Sequence, residues 1–358
     1  MTVCLSMIVK NEEHCIVRCL ESLKNHIDYW VICDTGSTDN TIDLIHKTLN
    51  GIPGELHRHD WHDFSTNRNL SLAISKTKAD YTLIIDADDK FIFEHNFSFK
   101  KLCEEVYKIR IEHNSVTYYR PQLIHNSIEF NYIGLVHEYI NLPEYVVPIT
   151  LQGCKILYGA DGHRSSNSFK YINDALVFES ELIKKPNDHR NTFYCAQSYR
   201  DAGKYEEALA YYLKRDLLGG WIEERFIAIL ESAKILEIVS PENITLIESA
   251  YIRAFNCNSK RIESLLYLAA YCRKMKLYDK AYFYAKIGCT VKKPSDGLFI
   301  EEPCYDWKIY DEMAIASFHL GEIEEAIELN KYLLRIYKAP ENELRRIFNN
   351  LQLCKSKY

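Results

Sequence analysis

The chain has no run of ~18 apolar residues, so nothing in it is long enough to cross a bilayer as a helix. No basic region precedes its first apolar segment. Met1-Thr2-Val3 enters that segment directly, and no signal peptide is expected. The 12 cysteines include no Cys-x-x-Cys pair, which argues against a cysteine zinc site. They are scattered, and several lie inside apolar segments, such as Cys4, Cys33 and Cys195. That pattern suits buried free thiols in a reducing, cytoplasmic setting better than a disulfide framework. There is no basic tract, so no nucleic-acid partner is expected. Finally, the loop after the first apolar segment, Lys10-Asn11-Glu12-Glu13, contains no glycine. The Gly-rich, basic phosphate loop that a nucleotidyltransferase needs there is missing.

What is present is uneven. At 358 residues the chain has room for two domains. Residues 1–165 hold 16 basic and 22 acidic residues, so the whole net charge of −6 falls there and the remainder is balanced. Within the acidic half, Tyr81-Thr82-Leu83-Ile84-Ile85 runs straight into Asp86-Ala87-Asp88-Asp89. The apolar run reads as a buried strand. Carboxylates at its C-terminal end sit where open α/β sheets bind ligands. Asp86 and Asp88, one residue apart, leave such a strand on the same side. Two hard oxygen ligands at that spacing suit Mg2+ or Mn2+ carrying a diphosphate. An acidic domain that binds a diphosphate needs such an ion or a local basic group.

Three further blocks precede or follow this one. Thr2 to Val9 reads as a strand that ends in Lys10-Asn11-Glu12-Glu13, with a helix to about Lys24. Tyr29 to Cys33 is a second strand, followed by Asp34-Thr35-Gly36-Ser37-Thr38-Asp39, whose hydroxyls and carboxylate can cap a helix at Ile42. Trp61-His62-Asp63-Phe64-Ser65-Thr66-Asn67-Arg68-Asn69 opens another helix. Strands alternating with helices argue for an α/β domain over 1–165, with strand-rich residues 116–160 at its end.

Taken in order, these motifs resemble the family 2 glycosyltransferases, which have the GT-A fold, a Rossmann-like mixed sheet. The resemblance rests on Met7-Ile8-Val9-Lys10-Asn11-Glu12-Glu13, Asp34 to Asp39, Phe64 to Asn69, Asp86-Ala87-Asp88 and Gly134-Leu135-Val136-His137-Glu138. It implies transfer of a sugar, with inversion, from a nucleotide-diphosphate sugar such as a UDP-sugar to a glycan or protein acceptor. It places Asp34, Asn11, Glu12 and Gly36 at the nucleoside, Arg68 near the base and phosphates, and Asp86 and Ala87 in the donor pocket. Asp88 would ligate the metal with Asp86, and His137 or His163 would add a third ligand. Related chains carry a histidine where this one has Tyr158. Glu138 is the expected general base, with Asp161 in reserve. The other reading is a scaffold whose first domain binds sugar nucleotides without catalysis.

From residue 168 to 358 the pattern is helical throughout, an all-α domain. Gly203-Lys204-Tyr205-Glu206-Glu207-Ala208 and Gly321-Glu322-Ile323-Glu324-Glu325-Ala326 fit the turn between paired helices of a tetratricopeptide repeat (TPR). Lys276 to Ala281 is a degenerate third copy. The three alanines are 73 and 45 residues apart, so the array is irregular, with a further repeat expected around Ile247 to Ala250. Small alanines let helices approach closely and tyrosines fill the grooves. Such grooves bind peptides or pair protomers, which leaves a protein acceptor and a homodimer both open.

Overall fold

The chain runs both faces of its early strands into apolar surroundings. In the computed structural model, which describes residues 1–113, 116–159 and 169–357, this produces a central mixed sheet. The residues divide into two units, Met1–Ser180 and Glu181–Tyr358. The boundary expected between 165 and 168 lies outside the described residues.

In the first unit, β1 (Val3–Val9), β2 (Tyr29–Asp34), β3 (Gly54–Arg58) and β4 (Tyr81–Ile84) are linked by helices α1 (Ile16–Leu23), α2 (Thr41–Thr48) and α3 (Phe64–Ser75). The four strands are parallel, with β1 between β2 and β4 and β3 outside β2. Next come β5 (Lys90–Phe93), β6 (Val106–His113), β7 (Val116–His125), β8 (Asn131–Ile133), β9 (Tyr139–Asn141) and β10 (Ile149–Leu157), then helix α4 (Lys170–Lys184). The sheet order is β3-β2-β1-β4-β7-β6-β10-β5, with β7 antiparallel to β4 and β6. β8 and β9 form a separate antiparallel pair.

Alternate residues feed two cores. Leu83 and Ile85 join Leu5, Met7, Ile32, Ile109 and Ile156 on one side, while Ile84 joins Leu72, Ile124, Phe130 and Tyr132 on the other. Burial on both faces explains why these strands read as continuous apolar runs. The strand order reverses between β1 and β4, and ligands bind open α/β sheets at the carboxyl ends on either side of such a switch point. Lys10 to Glu12 and Asp86 to Asp89 lie at those two ends.

The second unit is helical. Helices α5 (His189–Asp201), α6 (Tyr205–Leu217), α7 (Ile222–Val239), α8 (Ile244–Cys257), α9 (Glu263–Lys274), α10 (Tyr278–Gly288), α11 (Ile309–Leu320), α12 (Ile323–Ile336) and α13 (Glu341–Lys357) each pack on the next in sequence. Gly203, Lys276 and Gly321 take left-handed conformations at the expected turns, and Ala208, Ala281 and Ala326 are fully buried. The α7–α8 pair supplies the repeat expected near Ile247. Residues 289–308, which include a π-helical stretch Cys304–Lys308, separate α10 from α11 and account for the long spacing before Ala326. No helix among the described residues is long and apolar enough to cross a membrane. None of the 12 cysteines forms a disulfide, and most are buried.

Arg261 fastens the long connection to the helices. It is fully buried, with Nε and Nη2 on Glu263 at 2.8 to 3.1 Å and Nη1 on Glu223 at 2.6 Å and on the Leu298 carbonyl at 3.0 Å. Arg261→Met should cost about 3–5 kcal/mol, because Glu263 would stay buried without its counter-charge. Thermal unfolding followed by circular dichroism should then move down by roughly 6–20 °C. A shift of no more than about 2 °C would mean that the ion pair is not what holds this segment.

Candidate active site

The first two strand ends are laced together by their loops. Asn11 adopts φ +55°, a left-handed conformation that asparagine tolerates better than most residues. Its amide donates to Ser37 Oγ at 2.9 Å, and its Oδ1 accepts the Thr38 amide at 2.7 Å. The Glu12 amide donates to Thr41 Oγ1 at 2.8 Å. Asp34 is buried, and its carboxylate accepts the amides of Gly36 and Ser37 at 3.1 to 3.2 Å. It therefore shapes the loop from below, while Gly36, at φ +102°, is exposed on it.

Helix α3 explains its own motif. Asp63 caps it by accepting the Thr66 amide at 2.8 Å. Ser65 donates to the Gly134 carbonyl, and Asn69 forms two bonds with the Tyr132 backbone at 2.7 and 2.9 Å. Asn67, fully buried, ties back to Asp60 and His62 at 2.9 Å each. These side chains place Arg68, which carries the charge. Its Nη2 donates to Asp86 Oδ1 at 2.6 Å, its Nε donates to Glu138 Oε1 at 2.7 Å, and its guanidinium lies 5.3 Å from the Tyr132 ring centre. Three motifs far apart in sequence thus meet at one cation.

The carboxylates differ in their surroundings. Burial opposes the charge of Asp86, but Arg68 and Arg120 beside it prevail and hold its carboxyl below the usual range. Burial, reinforced by Asp86, pushes the Asp89 carboxyl up to about 7. Asp89 Oδ1 accepts the Gly159 amide at 2.9 Å, whereas Oδ2 is buried with no hydrogen-bond partner among the described residues. Asp88 is half-buried, and its main-chain carbonyl accepts the Arg18 guanidinium. Ala87 points its methyl into the core, so only its backbone faces the site. Gly134 (φ +103°) and His137 (φ +49°) bend the loop that delivers Glu138, and the His137 ring stacks on Phe178 with centroids 5.8 Å apart. Tyr158 lies close enough to Asp86, Asp88 and Asp89 for their charges to help burial raise its phenol. Asp161 and His163 lie outside the described residues.

Asp89, Arg120 and Tyr132 belong to this cluster and were not singled out from the sequence. Locally, Asp89 is one more acid in the turn after β4, and Arg120 one polar residue among the strand-rich residues 116–160. What brings Arg120 in is the fold: β7 lies antiparallel beside β4, and Arg120 Nη2 comes to 4.0 Å from Asp86 Oδ2.

A mixed sheet with its carboxylates at the switch point defines a GT-A domain. Residues 4–152 match the family model described as Glycosyl transferase family 2. The chain is 38% identical over 93 residues to a TPR repeat-containing protein of Synechococcus elongatus, covering 26% of this chain and 22% of that protein. It is 30% identical over 103 residues to the SPbeta prophage-derived glycosyltransferase SunS of Bacillus subtilis, covering 28% of this chain and 24% of that protein. The chain thus spans about a quarter of the length of the curated relatives it matches. Among solved structures, a crystal structure of MamA is similar over 47% of this chain and 90% of that one, at 16% identity and a TM-score of 0.39. A tetratricopeptide repeat protein from Parabacteroides merdae is similar over 52% and 66%, at 14% identity and the same TM-score.

The turn that carries the carboxylates leaves no room at Gly159. A Cβ there would lie 1.9 Å from the Asp88 carbonyl oxygen, a backbone atom that cannot swing aside. Gly159→Ala should therefore destabilise the protein by about 1–3 kcal/mol. A thermal melt followed by circular dichroism reads the effect, and an alanine variant with unchanged melting would contradict this packing.

Proposed function

We propose that the chain is an inverting, divalent-metal-dependent glycosyltransferase that moves a sugar from a UDP-sugar to a glycan or protein acceptor. The observation that carries this reading is Arg68 joined to both Asp86 and Glu138 at the sheet's switch point, inside a family 2 domain. The likeness to SunS, a glycosyltransferase by name, supports it. A scaffold without catalysis would have no need to keep these groups paired at a strand end.

In this reading the loops of Asn11, Glu12 and Gly36 border the nucleoside, with Asp34 setting their shape. The oxygens of Asp88 and Asp86 suit Mn2+ or Mg2+. The unpartnered Asp89 Oδ2 is the kind of open valence found beside a cation, which supports an ion here, while among the described residues no three of Asp86, Asp88, Asp89 and His137 hold their ligand atoms in one close group. His137 or His163 would complete the set. When bound, the ion supplies Lewis-acid stabilisation of the leaving diphosphate. Glu138 Oε1 is occupied by Arg68, and its other oxygen accepts no hydrogen bond among the described residues. That second oxygen is the base in this proposal. The acceptor oxygen attacks the anomeric carbon opposite the diphosphate, the bond to the diphosphate breaks with its electron pair, and the acceptor proton passes to Glu138. Asp161 is the reserve for this role. The helical repeats are assigned the acceptor or the pairing of two copies, and the unpaired thiols suit a cytoplasmic setting.

UDP binding should depend on the divalent ion, because the diphosphate would otherwise face Asp86, Asp88 and Asp89 uncompensated. Calorimetric titration of UDP with Mn2+ and with EDTA checks this, and equal affinity in both would remove the metal from the proposal.

Glu138→Gln keeps the hydrogen bond to Arg68 within reach but cannot take the proton. Transferase turnover should fall by about 100-fold or more, the usual scale of general-base catalysis, with UDP affinity held within a few-fold. An active Glu138→Gln beside an inactive Asp161→Asn would move the base to Asp161.

A further inference from the structure

Arg120 is the cation of this site that the internal pairing does not consume. Arg68 is committed to Asp86 and Glu138 by hydrogen bonds at 2.6 and 2.7 Å. Arg18 is committed to the Asp88 carbonyl. Arg120, on β7, reaches Asp86 Oδ2 only at 4.0 Å, beyond hydrogen-bond distance. Its guanidinium lies 5.8 Å from the Tyr118 ring centre, and its Nε and Nη2 are shielded from solvent with no hydrogen-bond acceptor among the described residues. Shielded donors left without an acceptor are costly, and a native structure rarely keeps two on one side chain without use. Arg120 adds its charge to Asp86 at 4.0 Å, but that contact leaves both donors without a hydrogen-bond acceptor. The half of the chain that holds Arg120 carries all of the net charge of −6, so a guanidinium with open donors stands out against its surroundings.

We propose that Arg120 binds an anionic oxygen of the substrate. Two sources share that chemistry: the diphosphate of the donor, and a carboxylate on the transferred sugar. A planar guanidinium with two adjacent N–H groups open matches the paired oxygens of either. The position fits both as well, because Arg120 Nη2 lies 4.0 Å from Asp86 Oδ2, beside the carboxylates assigned to the donor. This inference rests on the glycosyltransferase reading and deepens it. It assigns to the protein a cation for the substrate's charge, separate from the bound ion.

The test compares Arg120→Gln and Arg120→Lys with the wild type by calorimetric titration in Mn2+. The probes are uridine, UDP, UDP-glucose, UDP-glucuronate and inorganic pyrophosphate. If Arg120 holds the diphosphate, Arg120→Gln should bind UDP and pyrophosphate about tenfold or more weakly, the scale of one charge-assisted hydrogen bond, with uridine unchanged. If it holds a sugar carboxylate, UDP should be unchanged, and a preference for UDP-glucuronate over UDP-glucose should shrink by a similar factor. In either case Arg120→Lys should recover part of the loss. Unchanged affinity for all five probes in Arg120→Gln would overturn the proposal. So would a fall of more than about 10 °C in its melting temperature, which would show that the guanidinium is spent on structure. Pyrophosphate needs no nucleoside pocket and keeps the two readings apart. A wild type that binds pyrophosphate but none of the nucleotides would fail the donor reading, and Arg120 would then stand or fall on pyrophosphate alone.

Discussion

The candidate site depends on one guanidinium. Arg68 leaves helix α3 and bonds Asp86 at the end of β4 and Glu138 in the loop after β8. Without it, Glu138 would lose its counter-charge and Asp86 would keep only the more distant Arg120, a loss that the surrounding packing could not easily offset. The rest of α3 serves that placement. Ser65, Asn67 and Asn69 are spent on backbone partners at Gly134, Asp60 and Tyr132. The helix therefore sits against the sheet in one register, and Arg68 has one direction to point.

Acid is concentrated where the sheet topology tolerates it. Strands β2 and β4 end in Asp34, Asp86, Asp88 and Asp89, and three of these carboxylates meet different fates. Asp34 turns inward and takes amides of its own loop. Asp86 is held ionised by two arginines against its burial. Asp89, buried and close to Asp86, is pushed towards neutrality and grips Gly159. Three chemically identical side chains thus acquire different roles from burial and neighbours alone. The backbone contact between Gly159 and Asp88 brings the end of β10 against this turn, which links the strand-rich half of the unit to its acidic edge.

The helical unit stabilises itself by other means. Its turns are set by left-handed residues and small alanines, as in a repeat array, and each helix packs on its neighbour in sequence. Its departures from a regular period coincide with buried arginine–glutamate pairs. Arg261 with Glu263 and Glu223 secures residues of the long connection before α11. Arg215 with Glu224 secures the turn through Gly219 and Gly220 between α6 and α7. Where the repeat rule lapses, charge pairing inside the array replaces it.

Much of this was legible in the sequence because it is local. Apolar runs bounded by turn residues mark β1, β2 and β4. The switch to helical periodicity marks the second half, and Gly203 and Gly321 mark turns because a left-handed backbone needs them. The ordered motifs from Met7 to Glu138 identify the GT-A domain, since each is a short strand-end or helix-start pattern. Pairing across the fold was not legible. That Asp34 points inward, that Ala87 belongs to the core, that Arg68 joins Asp86 to Glu138, and that Arg120 comes beside Asp86 all follow from which strands and helices pack together. A carboxylate's neighbours in space, and hence its charge state, depend on which strands lie side by side. The sequence determined which elements form and which residue types stand at their ends. The tertiary structure decided which of those residues meet, because burial and charge pairing act through space rather than along the chain.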